Sequence, residues 1–541
     1  MKSLKIAWIV LLFSGLLSSF VLMTPVPQRA TESQFSAAEA AKHIEVISRE
    51  PHSVFDTEAH EDVRLYLKET LEGMLGFENV TEMNYTKEEL GMGTDYDIKN
   101  LLAVIPGTSD TGILLVGHYD SRGHVGRDGE LGRSYGAADD GYALGTMLEI
   151  ARLYANQNLT NSIYLLFTDA EETGLYGAYM AAQEPFMDQI GFVVNIEARG
   201  VSGPAYMFET SINNDKVIDF YKNADLKVSY SLATAVYTVM PNSTDFTEFL
   251  NVGKQGVNFA VLEGLYYYHT PMDKYDNINI SSLQHYGEQI VPLVETFTKD
   301  ARYSDVNYFV GEQNQVFFTI LPDVFISYRE STMHIFQWIT FVVFLAITTY
   351  LIIKKHVAIL SIIKYVGLMF GSLGILAIVG LYLAKLIAFM GRVPFLIIYV
   401  RMEGTELPTL LLSLGLIVGM YFLYKRFVKK EEDQYAVMIA GISLNLLLAI
   451  LTGYTLSGAS FLFFIPAMFG VISLIVMTFI KHKVILHIVL SQNVLWNLLL
   501  VVPIIYSLFL AITVGGLLAF FIIIFINLTV SLPYFRKQLT L

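Results

Sequence analysis

Residues 161–177 read NSIYLLFTDAEETGLYG, and this stretch decides the fold. A short apolar run that empties into Asp, two Glu and Gly is a buried strand ending at a polar loop, and a helix is predicted beyond it, from about Leu175 to Gln183. The same order recurs on both sides. TGILLVGH (111–118) precedes GYALGTMLEIARLYANQ (141–157), whose apolar residues fall three or four apart as on one helix face. GFVVNIEA (191–198) precedes a helical pattern at Asp215–Asn223, and VNFAVLEG (257–264) precedes one at Ser281–Thr298, with Ser281 placed to cap it. Upstream lie helical patterns at 36–49 and 60–76, then strand-like VTEMNYT (80–86) and YDIKNLLAVIPG (96–107). Strands alternating with helices predict an α/β domain in which helices cover a mixed, mainly parallel central sheet. Such sheets present ligand-binding groups beyond the carboxyl ends of their strands, where His118, Glu171, Glu172 and Glu197 all fall.

The polar ends of these strands carry metal chemistry. GHYDS holds His118 with Asp120 two residues on, and GAADDG offers the acids Asp139 and Asp140 just before a helix. In DAEETG the pair Glu171-Glu172 lets one acid bind metal while its neighbour takes a proton. NIEARG closes a strand with Glu197, and YHTPMD carries His269 ahead of Thr270-Pro271. Singly, each motif has an ordinary reading: a surface histidine, a helix-capping acid, a solvated turn. Jointly, imidazole and carboxylate donors at the ends of adjacent strands suit zinc, which accepts both and leaves a position open. Two such ions about 3.5–4 Å apart can polarise a carbonyl and activate water.

The chain has 541 residues, 53% of them hydrophobic and only 16% charged, and contains no cysteine. Without thiolates, a metal must sit on His, Asp and Glu. The formal charge of −14 argues against general nucleic-acid binding, which needs a basic surface. The apolar excess is uneven. A basic start, MKSLK, leads into an apolar stretch at 6–23, expected as a retained anchor rather than a cleaved signal peptide. After residue 335 come apolar segments near 335–353, 365–390, 408–425, 436–453, 459–480, 484–503 and 507–531, each near the length that crosses roughly 30 Å of hydrocarbon. Lys354, Lys355 and Lys364, then Lys425, Arg426, Lys429 and Lys430, then Lys481 and Lys483, then Arg536 and Lys537 punctuate alternate loops. With Lys2 and Lys5 they can all lie in the cytoplasm, leaving the polar half outside. The expected organisation is an anchor at 1–24, an extracytoplasmic domain at 25–300, a linker at 301–334, a membrane domain of about seven helices at 335–532 and a cytoplasmic tail at 533–541.

GHYDS, GAADDG, DAEETGLYG, NIEARG and YHTPMD in this order resemble the M28 family of zinc peptidases, over about residues 95–298. NIEARG followed by GPAYMFET is similar to the membrane-anchored members, whose peptidase domain precedes multiple spans. The resemblance implies a three-layer zinc-peptidase (phosphorylase/hydrolase-like) domain holding two zinc ions. One ion is expected on His118, Asp139 and Glu197, the other on Asp139, Glu172 and His269, so that Asp139 bridges them. Glu171 is expected as the general base and Asp120 as the orienter of His118. Asp245, in NSTDFTEF, and Arg199 are further candidates for supporting the site or meeting substrate. The implied reaction is hydrolysis of a peptide bond, most often releasing an N-terminal residue. A carboxypeptidase, which needs an arginine such as Arg122, Arg127, Arg133 or Arg199 for the terminal carboxylate, a dipeptidase or a glutaminyl-cyclase-like activity fits the same scaffold. A peptide-binding receptor or transporter without catalysis is the reading from another class. The expected partners are peptides and the lipid bilayer. A multi-pass bacterial plasma-membrane protein with both termini cytoplasmic completes the expectation; oligomeric partners are not legible.

Overall fold

The computed structural model describes Phe13 and residues 34–535 apart from 92–93, 124–132, 239, 241, 322–323 and 396–399. The expected anchor at 1–24, apart from Phe13, lies outside the described residues, as do Lys2, Lys5, Arg127, Arg536 and Lys537. The chain divides into two compact units, one at Thr24–Ser327 and one that includes Tyr328–Leu541.

The first unit is built on a seven-stranded sheet. Its strands are β1 (Val80–Tyr85), β2 (Ile98–Ile105), β3 (Ser109–His118), β4 (Asn161–Thr168), β5 (Ile190–Ala198), β6 (Tyr206–Thr210) and β7 (Gly256–Val261), in the order β1-β2-β4-β3-β5-β7-β6. The four central strands β4, β3, β5 and β7 run parallel, and antiparallel pairs close both edges. Alternate residues of β3, β4 and β5 feed two cores. Ile113 and Leu115 of β3 join one with Leu144, Met147 and Leu293, while Leu114 and Val116 join the other with Ala178, Ala181, Phe246 and Phe249. Helices therefore cover both faces, giving three layers.

The connections explain why a site forms at one edge. From β3 the chain crosses to β4 on one side, then returns over β3 to β5 on the other. The helix after β3 (Gly141–Tyr154) and the helix after β4 (Tyr176–Ala181) consequently belong to opposite cores. Between them the carboxyl ends of β3, β4 and β5 open into a crevice, as expected where strand order reverses. Gly117 is needed here. A Cβ on it would lie 2.4 Å from the Ala143 Cβ and 3.0 Å from Asp140 Oδ2, so only glycine lets the following helix start against the strand.

Several expectations require correction. The last helix runs Ile280–Lys299 and is capped by Asn279, whose side chain accepts from Ser281 and Ser282 N–H; Ser281 is not the cap. The stretch 301–334 is not a linker. It carries strands β8 (Gln315–Leu321) and β9 (Val324–Arg329) and places Tyr303, Phe309 and Phe317 in the larger core. β6 and the short helices Ser231–Tyr237 and Asp245–Asn251 had no counterpart in the sequence reading.

In the second unit, the described residues hold six apolar helical runs long enough to cross a membrane, rather than seven after residue 335: Glu330–Ile353, Ile359–Gly391, Glu406–Phe427, Glu431–Thr455, Phe461–Phe479 and Val484–Thr529. The expected break between 503 and 507 is absent, because a π-helical turn at Asn497–Val501 leads into Pro503 near the start of the next helical stretch, where its missing N–H is tolerated. The chain breaks instead at Thr513, with φ +50°, whose hydroxyl accepts from Val400 N–H at 3.2 Å and donates to Val400 O. Non-helical backbone amid apolar helices needs such partners. The 13 residues from Leu517 to Thr529 then span about 20 Å, too little for a full crossing. Buried asparagines tie these helices together: Asn445 Nδ2 donates to Ile526 O at 3.0 Å and Asn493 Nδ2 to Ser473 Oγ at 3.0 Å.

Gly117→Ala should destabilise the first unit by about 1–3 kcal/mol through overpacking. Thermal unfolding of the detergent-solubilised protein, followed by tryptophan-independent probes such as circular dichroism, measures it; an unchanged midpoint would show that the helix start can retreat.

Candidate metal centre

His118 is the last residue of β3 and is buried. Its Nδ1 lies 2.9 Å from the Asp120 backbone carbonyl, so an Nδ1–H donated there leaves the Nε2 lone pair facing the crevice. Nε2 sits 3.4 Å from Asp139 Oδ1 and 4.0 Å from Glu197 Oε2. On the other side, His269 Nε2 lies 3.3 Å from Asp139 Oδ2 and 3.1 Å from Glu172 Oε1. Two three-donor groups result, His118–Asp139–Glu197 and Asp139–Glu172–His269, each with its atoms within 4.8 Å of one another. Asp139 offers one oxygen to each.

These donors fit a pair of divalent ions. Ligands 2.0–2.1 Å from a tetrahedral zinc stand about 3.3 Å from each other, close to the separations here. Asp139 Oδ2 and Glu172 Oε1 are buried without a hydrogen-bond donor, which a bound cation would remedy. Electrostatics point the same way. Burial pushes the carboxyl groups of Glu171, Glu197 and Asp140 well above the usual carboxylate range and raises Glu172 too. Burial also acts on Asp139, but the imidazoles of His118 and His269 on either side of it prevail and hold it low. Arg122 pairs with Glu172 of this group, Nη1 to Oε2 at 3.1 Å.

Each side chain is held by a partner. Asp120 was expected to orient His118 through its carboxylate; Oδ1 lies 3.5 Å from His118 Nδ1, and the Asp120 backbone carbonyl approaches the same nitrogen more closely, at 2.9 Å. The carboxylate accepts the backbone N–H groups of Glu171 at 2.9 Å and Glu172 at 3.2 Å, fixing the turn after β4. Arg122 Nη1 donates to Glu172 O at 2.7 Å and Glu172 Oε2 at 3.1 Å. Glu197 sits at the end of β5, where Tyr286 OH donates to its carbonyl at 2.6 Å and accepts Val261 N–H at 2.8 Å. His269 takes φ +58°, and the Tyr268 ring stacks on it at 3.6 Å.

Residues 100–294 match the model of Peptidase family M28. The chain is 30% identical over 257 residues to a vacuolar membrane protease of Candida dubliniensis, covering 45% of this chain and 26% of that relative. It is 31% identical over 242 residues to endoplasmic reticulum metallopeptidase 1 of Rattus norvegicus, covering 43% and 25%. The chain thus spans about a quarter of the length of these curated relatives. A Zn-dependent exopeptidase structure from Parabacteroides distasonis aligns with a TM-score of 0.39 and 19% identity, over 48% of this chain and 98% of that one.

Within the first unit, the remaining candidates lie outside both donor groups. Asp245 is buried at the start of a short helix; Thr168 Oγ1 donates to its Oδ2, and burial pushes its pKa up to about 7. Arg199 follows β5, its backbone N–H donating to Val261 O at 3.0 Å, with its charge near Tyr237 and Tyr268. Asp273 was missed. Its Oδ1 accepts Ala138 N–H at 2.8 Å, and its Oδ2 accepts Asp139 N–H and Ser134 Oγ–H, both at 3.2 Å. It thereby ties the Asp139 segment to the loop that carries His269. The only signal was its place four residues after His269 in YHTPMD. A buried polar chain under Glu197 was equally invisible. Asn195 Nδ2 donates to Glu197 Oε1 at 3.2 Å and to Asn258 Oδ1 at 3.1 Å, and Asn258 Nδ2 donates to Glu209 Oε2 at 2.9 Å.

Burial pushes the Glu209 carboxyl up to about 7, against the Asn258 hydrogen bond. The unfolded chain releases this proton near pH 4.3, whereas the folded one keeps it until about 7, so stability falls as pH rises through that window. Glu209→Gln should remove up to about 3 kcal/mol of that loss. Unfolding midpoints at pH 5 and 7.5 test this: the variant should lose less between the two than the parent.

Proposed function

We propose that this chain is a membrane-bound, dinuclear zinc exopeptidase that releases N-terminal residues from peptides. The observation carrying this reading is one carboxylate, Asp139, placed between two imidazoles that come from separate loops, each completed by a glutamate. One ion would be held by His118, Asp139 and Glu197, the other by Asp139, Glu172 and His269. Ions there would supply Lewis acidity, polarising the scissile carbonyl and making water easier to deprotonate.

The protein residues do the rest. Glu171 is the general base: its carboxylate takes the proton of the attacking water and passes it to the departing nitrogen. Asp120, holding the Glu171 and Glu172 N–H groups, keeps that carboxyl beside the donor set without engaging it. Asp273 fixes the bridging segment, and Arg122 holds Glu172 in place through its backbone carbonyl and Oε2. An N-terminal substrate is favoured over a C-terminal one because the crevice is rich in acids, including Glu171, Glu197 and Asp245, which suit a free α-amine. Arg122, an arginine that a carboxypeptidase would need for the terminal carboxylate, is engaged by Glu172.

The six apolar runs make this a multi-pass membrane chain. We place the M28 domain on the side opposite the basic loops that follow the first, third and fifth runs. A bacterial plasma membrane, the expectation from sequence, gains no support from relatives named for vacuolar and endoplasmic reticulum membranes.

Full-length protein in detergent should bind two zinc ions and cleave peptides with a free N-terminus. Glu171→Gln should lower kcat by at least about 10³ while keeping both ions; near-full activity would remove Glu171 from its role. His118→Ala and His269→Ala should each reduce the zinc content from two to one by elemental analysis. Asp273→Asn, which puts an amide where two N–H groups need an acceptor, should weaken zinc by about 10–100-fold in a chelator competition. Cleavage of N-blocked but not C-blocked peptides would replace the aminopeptidase reading with a carboxypeptidase.

A further inference from the structure

A cavity of about 370 Å³ adjoins the donor set, with Glu172 and Arg122 in its lining. This is near the lower end of the roughly 300–1,000 Å³ typical of small-molecule pockets, so it suits one large side chain better than an extended ligand. Three aromatic residues from three separate segments line it: Phe55 before the Thr57–Leu75 helix, Tyr96 before β2, and Tyr176 at the start of the helix after β4.

Their positions are fixed. Phe55 meets Tyr96 edge to face, with ring centroids 5.7 Å apart and planes at 88°. Tyr96 OH donates to Thr173 Oγ1 at 2.6 Å, which ties this ring pair to the residue next to Glu172. Gly123 permits the arrangement, since a Cβ there would lie 2.4 Å from Ser53 Oγ and 3.1 Å from Phe55 Cδ2. Phe55 is nonetheless 45% exposed, a large apolar ring held in water beside the candidate centre.

The charges in the lining narrow the occupant. Arg122 donates to both Glu172 O and Oε2, so its charge is balanced within the wall. Asp95, in the same lining, is exposed and disfavours acidic side chains. Aromatic rings presented as walls favour another ring, which can stack or meet them edge to face.

We infer that this cavity is a side-chain subsite that takes the aromatic ring of a substrate residue next to the scissile bond, with Phe55, Tyr96 and Tyr176 as its specificity-determining residues. The inference rests on the peptidase reading and narrows its substrates to peptides bearing Phe, Tyr or Trp beside the cleaved bond.

The test uses full-length protein in detergent and short peptides with Ala, Phe, Lys or Glu on either side of the bond. Phe should be preferred over Ala by on the order of tenfold or more in kcat/KM at one of the two positions. Phe55→Ala and Tyr176→Ala should each reduce the Phe-over-Ala ratio severalfold, with circular-dichroism melting showing that the variants fold. Titration of the Glu171→Gln protein with the Phe and Ala peptides by calorimetry should give the same ranking without turnover. Cleavage with no aromatic preference, a preference for Lys, or a preference untouched by Phe55→Ala overturns the subsite and leaves the peptidase reading standing. Absence of cleavage by the parent protein sinks the peptidase reading; an aromatic ranking in calorimetry that Phe55→Ala abolishes would still support the cavity as an aromatic-binding site, and equal or no binding would overturn it.

Discussion

Asp139 lies between His118 and His269, one carboxylate oxygen turned toward each ring at 3.4 and 3.3 Å. Much of the first unit serves to make that arrangement possible. The two imidazoles arise about 150 residues apart in sequence, one at the end of β3 and one in the loop beyond β7. They meet because β5 alone separates those strands in the sheet. Gathering several carboxyl groups away from water is unfavourable unless positive charge and hydrogen-bond donors offset it. Two divalent ions, Arg122 and a set of backbone N–H groups are the offsets that this geometry accommodates.

The supporting contacts share a pattern. Asp120, Asp273 and Arg122 each join a side chain from one loop to the backbone of another, so the loops hold one another as much as the sheet holds them. Asp120 reaches from β3 to the turn after β4, Asp273 from the His269 loop to the segment before Gly141–Tyr154, and Arg122 from the β3 loop to Glu172. Groups placed like this fix ligand direction, which is where a site of this kind is most sensitive to small displacements.

The helical unit obeys a different constraint. With apolar surface on every side, its specific contacts come from small residues and amides rather than from hydrophobic burial. Asn445 and Asn493 bridge helices, and Thr513 satisfies Val400 where the backbone leaves the helix. Composition alone suggested two full spans after residue 484, because hydropathy does not register a π-helical turn that absorbs Pro503 or a threonine that makes a break tolerable.

Sequence by itself determined the strand–helix alternation, the apolar second half and the loops on which His118, Asp139, Glu171, Glu172, Glu197 and His269 sit. Those features follow from local periodicity and from strands that must end in polar residues. Tertiary structure decided what local pattern cannot carry: that 301–334 packs into the core instead of linking, that Asn279 rather than Ser281 caps the last helix, and that Asp120 acts on the Glu171–Glu172 backbone. It also decided that Asp273 and the Asn195–Asn258–Glu209 chain belong beneath the donor set. A side chain's partner depends on which strands lie side by side, and that order, β4-β3-β5-β7, is set by long-range packing that no short window of residues encodes.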